Sequence, residues 1–111
     1  MNVQAVVDSL SLEVQGAKGN LEREVTGCYI SDLLSDVMAH AQAGDLWITL
    51  QTHPNIVAVA SLKNLAGIII TNKRIPEEET LRKAEDERIP IAVSPSSTFE
   101  VGGMLFKMLR C

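Results

Sequence analysis

The residue types able to do chemistry in this chain gather in four clusters, each closing a short apolar run just ahead of a stretch with helical spacing. They are Cys28-Tyr29-Ile30-Ser31-Asp32, Gln51-Thr52-His53-Pro54-Asn55, Thr71-Asn72-Lys73-Arg74 and Ser94-Pro95-Ser96-Ser97-Thr98. Small polar residues at a helix start stand beside unpaired backbone N–H groups and the positive end of the helix dipole, a setting that suits phosphate or carboxylate. The same residue types cap helices, so Ser31, Asp32, Thr52, Asn55, Thr71, Asn72, Ser97 and Thr98 serve equally well as structural caps. His53 is the imidazole among them. It suits anion binding or proton transfer, or a plain ring hydrogen bond across Thr52 and Asn55 that fixes the turn. Lys73 and Arg74 can neutralise a ligand phosphate or remain solvated loop charges.

A second constellation is Cys28 with Asp32 and His53, which together offer a nucleophile, an orienter and a base, or three metal ligands. Their spacing matches no metal template, and a buried cysteine is most often inert packing. The sequence holds no GxxxxGK[ST] phosphate loop, no GxGxxG and no GxSxG elbow. ATP-dependent, dinucleotide-dependent and hydrolase chemistries thereby lose their usual support. No catalytic set, no metal and no cofactor is expected.

These clusters need elements to hold them. Residues 2–10 have the spacing of an amphipathic helix, with Val3, Val6, Val7 and Leu10 on one side, and a short strand over Leu12–Val14 follows. Gly16–Asn20 reads as a loop and Glu24–Tyr29 as a strand. Ile30, Leu33, Leu34, Val37, Met38 and Ala41 then set out a helix with Ser31 or Asp32 as its N-cap and Gly44 as its stop. Leu46–Leu50 is a strand, and Pro54 launches a helix carrying Ile56, Val57 and Ala60. Gly67–Thr71 is apolar on both faces, as a strand in the middle of a doubly covered sheet should be. Pro76-Glu77-Glu78-Glu79 opens a surface helix with Leu81 and Ala84 inward, and Ile89–Val93 is the last strand.

Ser97-Thr98-Phe99-Glu100 is a capping box that starts the final helix. That helix carries Val101, Met104, Leu105, Phe106, Met108 and Leu109, more apolar surface than one buried stripe uses, and Gly102-Gly103 permits close approach of another backbone. Val101, Met104, Leu105 and Met108 are therefore expected at an interface with a second subunit. Alternating strands and helices predict an α/β fold, a single three-layer domain with a mainly parallel sheet. All four polar clusters would then share the rim at the carboxyl ends of the strands, where such folds bind ligands.

The balance of 10 basic against 14 acidic residues leaves a net charge of −4, with the basic residues scattered rather than striped, which argues against nucleic acid and anionic membrane as partners. No apolar stretch nears the roughly 20 residues a membrane span needs. Met1–Asp8 lacks both a basic start and a long apolar stretch, so a cytoplasmic location is expected. Cys28 and Cys111 belong to no CxxC spacing, and a reducing compartment argues against a structural disulfide.

The stretch Val25-Thr26-Gly27-Cys28-Tyr29-Ile30-Ser31-Asp32-Leu33-Leu34-Ser35-Asp36-Val37-Met38, followed by Trp47-Ile48-Thr49, Gln51-Thr52-His53 and Asn55-Ile56-Val57-Ala58-Val59-Ala60, resembles the small stand-alone DRTGG-domain proteins of anaerobic bacteria. The second half, from Gly67-Ile68-Ile69-Ile70-Thr71 through Ile89-Pro90-Ile91 to Ser97-Thr98-Phe99, is similar to the DRTGG segment of phosphotransacetylases and of pyrophosphatases with regulatory nucleotide-binding domains. The resemblance covers nearly the whole chain and implies one DRTGG-like domain over residues 1–111, with the fold of the HPr kinase/phosphorylase amino-terminal domain. The namesake Asp-Arg-Thr-Gly-Gly run is absent, and Val25-Thr26-Gly27-Cys28 stands at the equivalent turn. Kinase chemistry in that larger relative belongs to a separate phosphate-loop domain, so no serine kinase activity is implied. What the resemblance implies is a regulatory or assembly module, commonly dimeric, whose stand-alone forms are often encoded near iron-only hydrogenases and related redox systems. The expected function is thus a non-catalytic, homodimeric regulatory or assembly module acting on a protein partner linked to such systems. The alternative is a sensor that binds a small anionic metabolite or nucleotide at the carboxyl ends of the strands.

Overall fold

The computed structural model describes residues 1–110. Its elements in chain order are α1 (Val3–Leu10), β1 (Glu13–Gly16), a 3₁₀ turn (Lys18–Asn20), β2 (Gly27–Ile30), α2 (Leu34–His40), β3 (Asp45–Thr49), α3 (Asn55–Lys63), β4 (Gly67–Ile70), α4 (Glu78–Glu87), β5 (Ile91–Val93) and α5 (Thr98–Arg110). Cys111, and with it any disulfide between the two cysteines, lies outside the described residues.

The strand without a polar face sits where its composition demands. The sheet order is β1-β5-β4-β3-β2, so β4 is central, and Ile68, Ile69 and Ile70 are buried. Strands β2, β3, β4 and β5 are mutually parallel, while β1 pairs antiparallel with β5 and slips register between Val14 and Gly16. Alternation along the strands sorts the core into two clusters. Trp47, Ile68, Ile70, Ile91 and Val93 point to one face, where Val37 and Ala41, Ile56, Val57 and Ala60, and Ala84 bring α2, α3 and α4 down onto them. Leu46, Ile48, Ile69 and Ala92 point to the other, covered by Val3, Val6 and Val7 of α1 and Val101 and Leu105 of α5. Strands laid down in one direction with crossovers of one hand must place their helices on one side, which leaves the opposite face to the two terminal helices.

Three expectations change at this level. Ile30 is the last residue of β2, not the first of a helix, and α2 begins at Leu34 with Leu33 in the cap position and no side-chain cap; Ser31 and Asp32 are spent elsewhere. The same helix stops at His40, before Gly44. Val25 packs in the α1–α5 cluster ahead of β2 rather than inside the strand.

A further correction bears on function. Val101 and Leu105, expected at an interface, are fully buried against the sheet, because i and i+4 on α5 face inward. Of the four expected interface residues, only Met104 is exposed, and Met108 is half-buried.

Candidate functional site

Because β2 to β5 run parallel, the segments that follow them all leave one rim of the sheet: Ser31-Asp32, Leu50 to Asn55, Thr71 to Arg74 and Ser94 to Thr98. The sequence-derived residues therefore do converge, and what they touch is mostly each other. Asp32 Oδ1 accepts from Thr49 Oγ1 at 2.8 Å and from the Leu50 amide at 2.7 Å, while Gln51 Nε2 donates to the Asp32 carbonyl at 2.8 Å. Asp32 thus clamps the exit of β3. Ser31 Oγ accepts from the Leu33 amide at 3.2 Å, and the Ser31 carbonyl accepts from the buried Trp47 indole at 2.8 Å.

The Thr52 carbonyl accepts from Thr80 Oγ1 at 2.7 Å and from the Glu77 amide at 3.3 Å, which ties the start of α4 to the loop before α3. His53 Nδ1 accepts from the Asn55 amide at 3.0 Å, so a neutral ring carries its proton on Nε2, and the histidine fixes the turn as its plainer reading required. Between β4 and β5 the rim is bridged three times: Thr71 Oγ1 lies 2.7 Å from Thr98 Oγ1, the Asn72 amide donates to the Ser96 carbonyl, and the Lys73 amide donates to the Ser94 carbonyl. Asn72 and Lys73 both adopt left-handed backbone, at φ 59° and 58°, a pairing that non-glycine residues accept only when their surroundings hold it. Ser97 and Glu100 form the capping box, with the Glu100 amide donating to Ser97 Oγ and the Ser97 amide to Glu100 Oε1, both at 3.2 Å.

The groups that still face solvent on this rim are Asp32, His53, Asn55, Asn72, Lys73 and Arg74. An anion approaching the β2–β3 turns meets the Asp32 carboxylate; one approaching β4–β5 meets Lys73. The helices after β4 and β5 also leave for opposite faces, the arrangement that opens a crevice in α/β sheets, although the three bridging bonds close it here. Beside it lies a groove of about 480 Å³ bordered by Glu13 and Gln15 of β1, Lys73, Ile75, Val93 and Pro95.

Cys28 does not join His53 and Asp32. It packs in the α1–α5 cluster on the opposite side from the histidine's helix, and burial, followed by the nearby Asp45 carboxylate, pushes its thiol up to about 12. A thiol so held is protonated at neutral pH and a poor nucleophile. Among the described residues no group of His, Cys, Asp and Glu could hold a metal ion. No helix among them is long and apolar enough to cross a membrane.

Sequence reasoning missed one feature and misplaced the phase of another. The missed feature is a chain of side chains that links β2 to α2: Tyr29 Oη donates to Asp36 Oδ2 at 2.9 Å, and His40 Nδ1 lies 3.1 Å from Asp36 Oδ1. The hydroxyls of Ser31 and Tyr29, in that order, hold the Asp36 carboxyl below the usual carboxylate range. The other is the outward side of α5. Phe99 is 89% exposed, and Phe106, 61% exposed, borders the same groove as Ile30 at the free edge of β2. The spacing Phe99, Gly103, Phe106, which falls on one helix face, was the available signal.

The fold and rim together define a three-layer α/β/α domain whose polar turns converge on one rim of the sheet. Over residues 5–108 the chain matches the DRTGG domain, and it belongs to the DRTGG-domain family. Among solved structures it is similar to the CBS and DRTGG domains of the regulatory region of Clostridium perfringens pyrophosphatase, complexed with the activator diadenosine tetraphosphate. That likeness has a TM-score of 0.72 at 17% identity, covering 91% of this chain and 44% of the other, and it bears on the fold. The chain thus spans less than half the length of that structure. No curated protein matches it.

Proposed function

We propose that this protein is a non-catalytic regulatory module that self-associates and acts on a protein partner. The observation that carries this reading is the distribution of unsatisfied surface. The rim's polar groups are largely engaged with one another, whereas four of the nine exposed large apolar side chains among the described residues, Phe99, Phe106, Met104 and Ile30, stand along α5 and the adjoining edge of β2. Apolar surface gathered on one flank marks a contact between proteins. The regulatory role of the pyrophosphatase region that shares this fold supports the same reading, as does the implied setting of a partner in hydrogenase or redox systems. Sedimentation velocity at micromolar concentration tests it, with a dimer expected; a monomer at every concentration would count against self-association.

A second reading has two observations in its favour. The structurally similar region was solved with diadenosine tetraphosphate, and Lys73 stands exposed beside the rim groove of about 480 Å³. In that reading the rim senses an anionic nucleotide. Ligand at a hundredfold excess over Kd would stabilise the fold by about 2.7 kcal/mol, so a thermal-shift titration with diadenosine tetraphosphate decides it; an unmoved transition removes the sensor.

A further inference from the structure

Gly103 is the residue of α5 that the rest of the chain does not account for. Its neighbour Gly102 has a reason within the fold, since a Cβ there would lie 2.9 Å from Ile30 Cδ1. A Cβ on Gly103 would meet nothing within 4 Å, yet the residue sits exposed in the middle of a helix, where glycine is less favourable than alanine. On the same face, one turn to either side, stand the exposed rings of Phe99 and Phe106. A glycine between two outward aromatic rings leaves room for another backbone to come close.

We propose that α5 packs against α5 of a second copy of this chain, antiparallel, with the crossing at Gly103. This deepens the assembly reading above and rests on it. Charge selects the occupant and its direction. α5 carries Glu100 in its first turn and Lys107 and Arg110 in its last, so an antiparallel copy sets each acidic end beside a basic end and opposes the two helix dipoles. A parallel copy would set like against like.

Shape agrees with this. Between α5 and β2 runs a groove of about 380 Å³ bordered by Cys28, Ile30, Gly102, Phe106 and Leu109. Phe99 precedes Gly103 by about 6 Å along the axis at 1.5 Å per residue, so a two-fold at Gly103 carries the partner's Phe99 the same distance beyond it, level with Phe106 to Leu109. Each copy then supplies one projecting ring and one groove, the self-complementarity a two-fold contact requires. The adjoining edge strand, Gly27–Ile30, has no charge and no proline to deter pairing, and the same contact would cover it.

The experiment combines sedimentation equilibrium with cross-linking, in a Cys111→Ser background that leaves only the half-buried Cys28, whose thiol is held protonated. Gly103→Leu should raise the melting temperature of the monomer, through helix propensity in open space, while weakening the dimer at least about tenfold. Gly103→Cys should form a disulfide-linked dimer under mild oxidation, whereas Leu62→Cys, on a residue 75% exposed on the opposite face, should not. A dimer indifferent to Gly103→Leu, with no Gly103→Cys cross-link, would overturn the α5 contact and leave self-association standing. A parent protein that is monomeric throughout would overturn both.

Discussion

Asp32 shows how a residue with the chemistry of a ligand-binding or capping group is taken up by the scaffold. Its carboxylate holds the hydroxyl of Thr49, a residue 1% exposed, together with the Leu50 amide. Asp32→Ala would leave that buried hydroxyl short of an acceptor and should cost about 1–3 kcal/mol in urea unfolding, while Asp32→Asn keeps the Oδ1 acceptor and should recover most of the loss. The Tyr29–Asp36 pair makes a pH-dependent counterpart. Asp36 binds its proton more weakly in the folded state than in the unfolded chain, so the pair adds stability at neutral pH that is lost as pH falls below about 4, through the lowered folded-state value. Tyr29, hydrogen-bonded to Asp36, is shifted upward, and its share persists below about pH 10 and fades as pH rises past it. In a carbon-detected NMR titration, Tyr29→Phe should move the Asp36 transition up only part of the way to the ordinary value, because Ser31 contributes more than Tyr29.

At the scale of elements, spacing, capping and composition located each strand and α-helix among the described residues, while the 3₁₀ turn at Lys18–Asn20 was read as loop; the shift at α2 falls where side chains had two possible uses. Ile30, Leu33 and Leu34 fit a helical stripe, but the chain spends Ile30 on the edge of β2, and Ser31 and Asp32 on Trp47 and Thr49, so α2 starts late and uncapped. Such bonds join residues far apart in sequence and leave no local spacing to read. The all-apolar β4 was legible as central because its composition permits no other place. On α5 the number of apolar residues was plain, but their phase was not. Six of them fit more than one inward stripe, and the sheet selects Val101 and Leu105. The two sides of α5 should therefore respond differently to truncation. Leu105→Ala, at a fully buried position, should cost about 2–5 kcal/mol of folding stability, whereas Phe99→Ala should change monomer stability by no more than about 0.5 kcal/mol. Chemical denaturation of the two variants below the association range checks both.

For the molecule as a whole, the topology explains why the candidate site was readable as a place. Four parallel strands must end on one rim whatever their order, so the convergence of Ser31, Thr52, Thr71 and Ser97 was implied by the class of fold alone. Whether those groups face a ligand or one another depends on bonds such as Thr71–Thr98, which join segments 27 residues apart. The rim is largely bonded to itself and exposed apolar side chains stand along α5, and the proposed regulatory module rests on those two features. Native mass spectrometry of the protein purified without chelator tests this most directly, since one spectrum reports subunit number and any retained mass. The account requires a dimer with no added mass; a monomer that retains a nucleotide or other anion would contradict it.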